Sequence, residues 1–466
     1  MKETLPKHVH IIGICGVATG ALAIAFHNAG VKVTGSDKGF YPPISTTLLD
    51  AGIDFYAGWH VDKMTASGDP DLVIIGTATG NTNPETEYVR KQEIPAYSFA
   101  EAIGKFFVRK NSIVSVGTWG KTTTSALLSW VLKEAGMNPS YMTGGIPLTH
   151  TAAQLSDSAW SVLEGDEYKS APWDNTPKFA YYNPTHLLLT AVSWDHADLY
   201  KTEKEYFDVF EKIAVHAGTS HPIIACTDDT GVRNVLKKTN VPHISYGRSP
   251  EADYTFVNIG SDAEGIHFDI VHGTETQHIR SPLLGSYNAQ NITGVFTLAR
   301  SIGIDADTIA DAIHSFQGIR RRLEKYSTKP VTIISDIAHS PEKARTTLSI
   351  LKEITRNKII VIFEPNIGGR SIESVHKYEH AFTDADYVFI PRLSKLKVAK
   401  DKKELDGLAL SEVIHKTHPH VAYIDDDSEL VAAIKAKADK GDCIAFLGSH
   451  GFRGMIEATV DACKDK

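Results

Sequence analysis

The sequence predicts an α/β protein of three domains, a Rossmann-like α/β domain at each end and a phosphate-loop domain between them. Three observations predict it. Strand-like and helix-like runs alternate (HVHIIGI, GALAIAFHNAG, VKVTGSD, ISTTLLDAGI, DLVIIGT), the rhythm of parallel sheets covered by helices. At 466 residues the chain is too long for a single core. The phrase SVGTWGKTTT, residues 115–124, starts a second βα series only after a first one is complete.

Bulk properties narrow the function classes. The 42% hydrophobic and 22% charged residues suit packed cores and exclude a mostly disordered chain. A net charge of -8, with no long Lys/Arg run, argues against nucleic acid or a membrane surface as partner. Cys15, Cys226, Cys443 and Cys463 are scattered and form no C-x-x-C pair, which speaks against a disulfide framework or a thiolate zinc site. The start, MKETLPKHVHIIGICG, runs from polar residues straight into a strand, and no apolar run is long enough to span a bilayer, so a cytoplasmic location is expected.

In the first domain, 1–107, GICGVATG follows the strand HVHII and opens a helix, and Asp37 ends the next strand in VTGSD. Gly13, Gly16 and Gly20 would give the turn, the close approach and the helix packing of a dinucleotide loop, with Asp37 on a ribose hydroxyl. The spacing is not G-x-G-x-x-G, and a glycine-rich turn of any doubly wound fold fits equally.

The second domain, 108–320, opens on the phosphate loop. Ile113 to Val116 read as a strand and SALLSWVL as a helix, so Gly117 and Gly120 lie where successive N–H groups and a helix N-terminus would cup phosphate. Lys121 can reach terminal phosphate oxygens and Thr122 a bridging magnesium ion. Ser115 stands where the G-x-x-x-x-G-K-[ST] pattern begins with glycine. VLEGDEY and LLTAVSWDHADLY then bring Glu164, Asp166, Glu167, Asp195, His196 and Asp198 to strand ends, where open α/β sheets hold ligands and where hard oxygens suit magnesium. A β-rich stretch from Pro242 to His278 reads as an antiparallel excursion.

The third domain, 321–466, follows the charged cluster QGIRRRLEKY and reopens the βα rhythm at VTIISD. The amides of GSYNAQN could read an adenine edge, and Arg320, Arg321 and Arg322 could clamp phosphate. Asp336 and His339 follow a strand end in SDIAHSP. Helix caps, a solvated hinge and a strand-end turn are the plain alternatives for these three. Three function classes fit the whole: a nucleotide-driven enzyme, an NAD-dependent oxidoreductase using GICGVATG, and an ATP switch without turnover. Two phosphate cups in one chain favour the first.

Taken in this order, HIIGICGVATG, GTWGKTTT, EGDEY, WDHADLY, GSYNAQN, RRRLE and DIAHSP resemble the Mur ligases over nearly the whole chain. GICG, TGSDKGFYPPIST and NPTHLLLTAVSWDHADLY are most similar to the murein peptide ligase branch, with the UDP-N-acetylmuramate–L-alanine ligases as the alternative. The resemblance implies ATP and Mg2+ as cofactors. It implies ADP-forming ligation of UDP-N-acetylmuramate to the recycled tripeptide L-alanyl-γ-D-glutamyl-meso-diaminopimelate, in peptidoglycan recycling, by a monomer or weak homodimer. Its implied catalytic residues are Lys121, Glu164 and His196, with Thr122, Glu164 and His196 on the metal. Gly117, Thr118, Gly120, Lys121, Thr122 and Thr123 would hold ATP phosphates, and Asn288, Asn291, Arg321, Arg322 and Asp336 the rest of the nucleotide. Gly13, Gly16, Ser36, Asp37, His60 and Asn83 would form the UDP-sugar site. His339, Arg370 and Arg453 would meet the acceptor peptide, Arg370 pairing with a diaminopimelate carboxylate unless it is a solvated loop charge. Trp119, Tyr287 and Ser340 depart from the family's usual residues, as does the phrase FEPNIGGRS. Phe210 stands where several siblings carry a carbamylated lysine, so none is expected here.

Overall fold

The computed structural model describes residues 4–40, 42, 44–77, 82–366, 368–394 and 404–466. Tyr41 and Pro43 of the YPPIST phrase and Ile367 of FEPNIGGRS lie outside them.

The first series contains β1 (His8–Ile12), α1 (Val17–Asn28), β2 (Lys32–Asp37), α2 (Ile44–Asp50), β3 (Asp54–Ala57), α3 (Val61–Met64), β4 (Leu72–Ile75), α4 (Pro84–Lys91), β5 (Ala96–Ser98) and α5 (Phe99–Phe106). Its strands form a sheet in the order β3-β2-β1-β4-β5, parallel throughout. The uninterrupted burial of HVHII and LVII is what a sheet covered on both faces requires. Order reverses between β1 and β4, so the turns after β1, β2 and β4 surround one crevice. A capping box starts α5: the Ser98 hydroxyl accepts the Glu101 N–H, and the Glu101 carboxylate accepts the Ser98 N–H.

The second series contains β6 (Asn111–Val116), α6 (Lys121–Glu134), β7 (Ser140–Met142), β8 (Ala153–Gln154), β9 (Trp160–Gly165), β10 (Lys169–Ala171), β11 (Asp174–Pro177) and β12 (His186–Leu189). It continues through α7 (Glu203–Gly218), β13 (Ile223–Cys226), α8 (Thr230–Thr239), β14 (His243–Gly247), β15 (Tyr254–Asp262), β16 (Gly265–His272), β17 (Glu275–Ser281), α9 (Tyr287–Ser301) and α10 (Ala306–Ser315). The sheet order is β17-β16-β15-β14-β13-β12-β6-β9-β7-β8, and β10 pairs with β11 as a separate hairpin. Part of the stretch expected as an antiparallel excursion, β14, instead extends the sheet in parallel beside β13.

The third series contains β18 (Glu324–Ser327), β19 (Thr332–Asp336), α11 (Pro341–Ile354), β20 (Ile359–Glu364), β21 (Tyr387–Pro391), α12 (Gly407–His415), β22 (Val421–Ile424), α13 (Asp427–Lys437), β23 (Cys443–Gly448) and α14 (Met455–Ala462). Its sheet runs β18-β19-β23-β20-β21-β22, antiparallel only at β18. IIVIFE and CIAFLG are wholly buried at its centre.

By packing, the chain divides into two compact units: residues 1–258, 268–279 and 289–316, and residues 259–267, 280–288 and 317–466. The first two series thus share one unit, apart from residues 259–267 and 280–288. A single apolar cluster joins them, running from Val9 and Phe26 through Phe106 and Phe107 to Val114 and Leu189. Phe26 meets Phe106 edge-on at 5.4 Å between ring centres, which locks α1 to α5. Phe210, expected at the position where several siblings carry a carbamylated lysine, is a fully buried member of this cluster. All four cysteines are buried and none is in a disulfide.

Candidate active site

The phosphate loop is held from below. Gly117 has φ +141°, and a Cβ there would run into the Thr190 hydroxyl and the Ala191 backbone just after β12. Thr190 donates to the carbonyls of Val116 (3.1 Å) and Trp119 (2.5 Å). Thr118 exchanges hydrogen bonds with Ser193, accepting its N–H at 2.8 Å and donating to its carbonyl at 3.0 Å. Gly120 takes the left-handed conformation, where a Cβ would lie 2.8 Å from Asn291 Oδ1. Ser115 is fully buried and its hydroxyl meets that of Thr124 at 2.5 Å, so the departure from the glycine pattern serves packing while Gly117 makes the turn. The helix α6 begins with no side-chain cap, leaving its first-turn N–H groups for an anion. Trp119, at the tip, is 56% exposed.

Parallel register then assembles the charged groups. Glu164 lies beside Ser115 at the end of β9, and Leu189 beside Val116 at the end of β12. Glu164 accepts the Thr122 hydroxyl at 2.9 Å and the Gly144 N–H at 2.7 Å. Lys121 donates to Glu167 at 2.8 and 3.1 Å and to the Gly117 carbonyl at 2.6 Å. His196 Nε2 lies 3.5 Å from Glu167, whose carboxylate also accepts the Tyr206 hydroxyl at 3.2 Å. His196 has φ +53°, a strained backbone held by its N–H donating to Asp195 and its carbonyl accepting Leu199 and Tyr200.

Glu167, 1% exposed, is therefore the hub that binds Lys121 and His196. The sequence offered it among the acids of EGDEY but nothing to rank it above Glu164. The expected metal set is divided: Thr122 and Glu164 are in contact, whereas His196 is paired with Glu167. Among the described residues no group of three or more His, Cys, Asp or Glu side chains could alone hold a metal ion. A hydroxyl in contact with a carboxylate is nonetheless a hard-oxygen pair that fits magnesium, an ion that takes one or two protein oxygens and completes its shell with water and phosphate.

A cavity of about 630 Å³ runs from the glycine turn after β1 to Glu164. Gly13, Gly16, Asp37, Gly76 and Thr77 line one end, and Gly144, Glu164, Asp166, Lys178 and Tyr182 the other. Asp37 braces the turn, accepting the Cys15 N–H at 2.8 Å. Ser36 and Asn83, expected in the sugar site, do not reach this wall. Ser36 is fully buried and donates to Glu85 at 2.5 Å, and Asn83 caps α4. His60 is exposed outside the wall, with its N–H on Glu85 at 2.7 Å, while Trp59 lines the cavity. Burial pushes the Glu85 carboxyl up, but its hydrogen bonds prevail and hold it below the ordinary carboxylate range. At the far end Asp166 and Lys178 pair at 2.5 Å; burial pushes the Asp166 pKa up, but Lys178, the Tyr168 N–H and the Lys121 charge together hold it below the ordinary carboxylate value.

The second unit holds the remaining candidates. Asp336 accepts the N–H groups of Leu323 (2.8 Å) and Ala338 (2.9 Å), and burial still raises its pKa. Arg321 donates to the Gly448 carbonyl at 2.6 Å, and Arg322 is exposed. The Asn288 amide is fixed on the Leu284 carbonyl at 2.8 Å. His339 is partly buried, which lowers its pKa. Arg370 is neither a solvated loop charge nor an open docking group. It is 3% exposed, donates to the carbonyls of Ser394 and Pro365, and lies 3.6 Å from the buried Glu364. Arg453 forms a two-pronged ion pair with Asp427 at 2.7 and 2.9 Å.

Comparison with known proteins meets this geometry at every segment. The Mur ligase family catalytic domain matches residues 8–111, the Mur ligase middle domain 116–299, and the Mur ligase glutamate ligase domain 321–450. The chain belongs to the Mur ligase family. It is an ATP- and magnesium-dependent, ADP-forming amide ligase of three-domain Mur ligase architecture. The UDP-N-acetylmuramate–L-alanyl-γ-D-glutamyl-meso-2,6-diaminoheptandioate ligase of Haemophilus influenzae is 28% identical, over 99% of this chain and 100% of that protein. The UDP-N-acetylmuramate–L-alanine ligase of Bartonella henselae is 27% identical, over 95% of this chain and 93% of that one. Among solved structures, the UDP-N-acetylmuramate-alanine ligase of Thermotoga maritima superposes with a TM-score of 0.77 over 97% of this chain and 98% of its own, at 22% identity, a likeness of fold.

Proposed function

We propose that this Mur ligase joins UDP-N-acetylmuramate to the tripeptide L-alanyl-γ-D-glutamyl-meso-diaminopimelate in the cytoplasm, as a step of peptidoglycan recycling. The observation that carries the donor half is the cavity running from the glycine turn to Glu164, of a volume suited to a nucleotide sugar. The diphosphate would lie against the turn and the start of α1, and the sugar's free carboxylate near Glu164. That carboxylate takes the terminal phosphoryl group of ATP, with ADP leaving, and the peptide amine attacks the carbonyl carbon of the acyl phosphate, displacing phosphate and losing a proton to give the amide. Lys121 and the N–H groups of the loop bind and orient the phosphates, and Glu167 with Tyr206 keeps the Lys121 ammonium in place. Magnesium, when bound at Thr122 and Glu164, supplies positive charge against the phosphate oxygens. Among the described residues no helix is long and apolar enough to cross a membrane.

For the acceptor, the phrases GICG and NPTHLLLTAVSWDHADLY and the relative matched over 99% of the chain support the tripeptide. One observation favours a second reading, in which free L-alanine is the acceptor. Arg370 and Arg453, the arginines expected to meet the acceptor peptide, are both engaged within the protein. Phosphate release measured with ATP, magnesium and UDP-N-acetylmuramate, offering L-alanine, the dipeptide and the tripeptide in turn, tests both. The tripeptide should give the highest kcat/KM. A higher value with L-alanine replaces the first reading by the second, and no release with any amine refutes both.

A further inference from the structure

The wall of the cavity beside the phosphate loop carries two carboxylates, Glu164 and Asp166, and one cation at the same end, Lys178. A donor whose own carboxylate must come to this end meets like charge, and a cation has to offset it. Lys38, the other lysine of the wall, is exposed and adjoins Asp37 at the opposite end. Lys178 is 17% exposed and built in. Its N–H donates to the Tyr168 carbonyl (3.1 Å), the Phe179 N–H donates to the Asp166 carbonyl (3.2 Å), and the Tyr168 N–H donates to the Asp166 side chain (3.0 Å). These bonds fix the backbone at the end of the β10–β11 hairpin, and the ion pair with Asp166 holds the ammonium itself. Of its three N–H donors, one is used on Asp166 at 2.5 Å.

We propose that Lys178 is a donor-binding residue that receives the free carboxylate of the UDP-sugar acid, with Asp166 holding the ammonium toward the cavity. The inference rests on the donor reading above and deepens it. It makes Lys178 the group that separates a sugar bearing a carboxylate from the same nucleotide sugar without one.

Calorimetric titration of the full chain, without ATP, with UDP-N-acetylmuramate and with UDP-N-acetylglucosamine tests it, because the second lacks the lactyl carboxylate and keeps the diphosphate. Lys178→Met should weaken UDP-N-acetylmuramate binding by roughly 30-fold, the range of a charge-assisted hydrogen bond, and leave UDP-N-acetylglucosamine unchanged. Lys178→Arg should restore most of the loss. Should Lys178→Met unfold because Asp166 is left unpaired, the double variant Asp166→Asn/Lys178→Met removes both charges and should show the same selective loss. Equal losses on both sugars, or none on either, overturn the proposal while the donor reading stands. A wild-type chain that does not prefer UDP-N-acetylmuramate overturns the donor reading, and the proposal with it.

Discussion

Glu167 touches Lys121, His196 and Tyr206 with one carboxylate, so these side chains form one unit rather than separate contributors. Glu167→Gln should lower kcat by about 10- to 100-fold, because the ammonium loses its ionic anchor while the donor cavity keeps its wall. Adding His196→Ala to it should cost little more than the worse single change, and steady-state kinetics of the three variants measure this. Fully additive losses would place His196 in a separate role. Lys121, Glu164 and His196 stand out in the sequence because each sits in a phrase of recognisable chemistry. Glu167 and Lys178 do not, because the contacts that single them out come from what a parallel register and a short hairpin bring beside them. Ser36 and Asn83 illustrate the reverse: polar residues at strand and helix ends look available to a ligand, yet local bonds to Glu85 and the α4 N-terminus already use them.

Strand, turn and helix at the phosphate loop are one rigid element because the turn fits against β12. Gly117→Ala adds a methyl group at a positive φ and against the Thr190 and Ala191 atoms, and should destabilise the first unit by at least about 2 kcal/mol, read from urea unfolding at pH 7. A pH test belongs to α6. His150 packs on Trp130 of that helix and bonds to Ser129, and burial, then the Lys133 charge, pushes its pKa down to about 4 from 6.5. The unfolded chain therefore takes up this proton first. The stability contributed by neutral His150 is complete above about pH 6.5 and is lost as the pH falls toward 4. His150→Gln should remove about one proton from the uptake on unfolding at pH 5, measured as the slope of unfolding free energy against pH. Alternating runs made most strands and helices legible, since a buried parallel strand is apolar along its length. The parallel join of β14 to β13 was hidden, because HISYG is polar and its partner strand is set by tertiary pairing.

At the scale of the whole molecule, the expected boundary near residue 107 marks a change of sheet but not a break in packing, since one apolar cluster serves both sheets. The cavity proposed for the donor is lined entirely from that unit. UDP-N-acetylmuramate alone, with neither ATP nor acceptor, should therefore stabilise the protein by about 2.7 kcal/mol at a hundred times its Kd. Hydrogen exchange should slow at the turn after β1 and around 142–144 and 164–182, and not in residues 321–466. Slowing confined to the second unit would refute the assignment of the cavity.

Trp119 combines a carbonyl clamped by Thr190 with a ring that is 56% exposed, on the loop proposed to cradle phosphate. A fixed stem with an open indole is a built-in optical gauge. Nucleotide arriving at the loop should shift the emission of this chain in proportion to occupancy, and Trp119→Phe should silence the signal while binding followed by calorimetry persists.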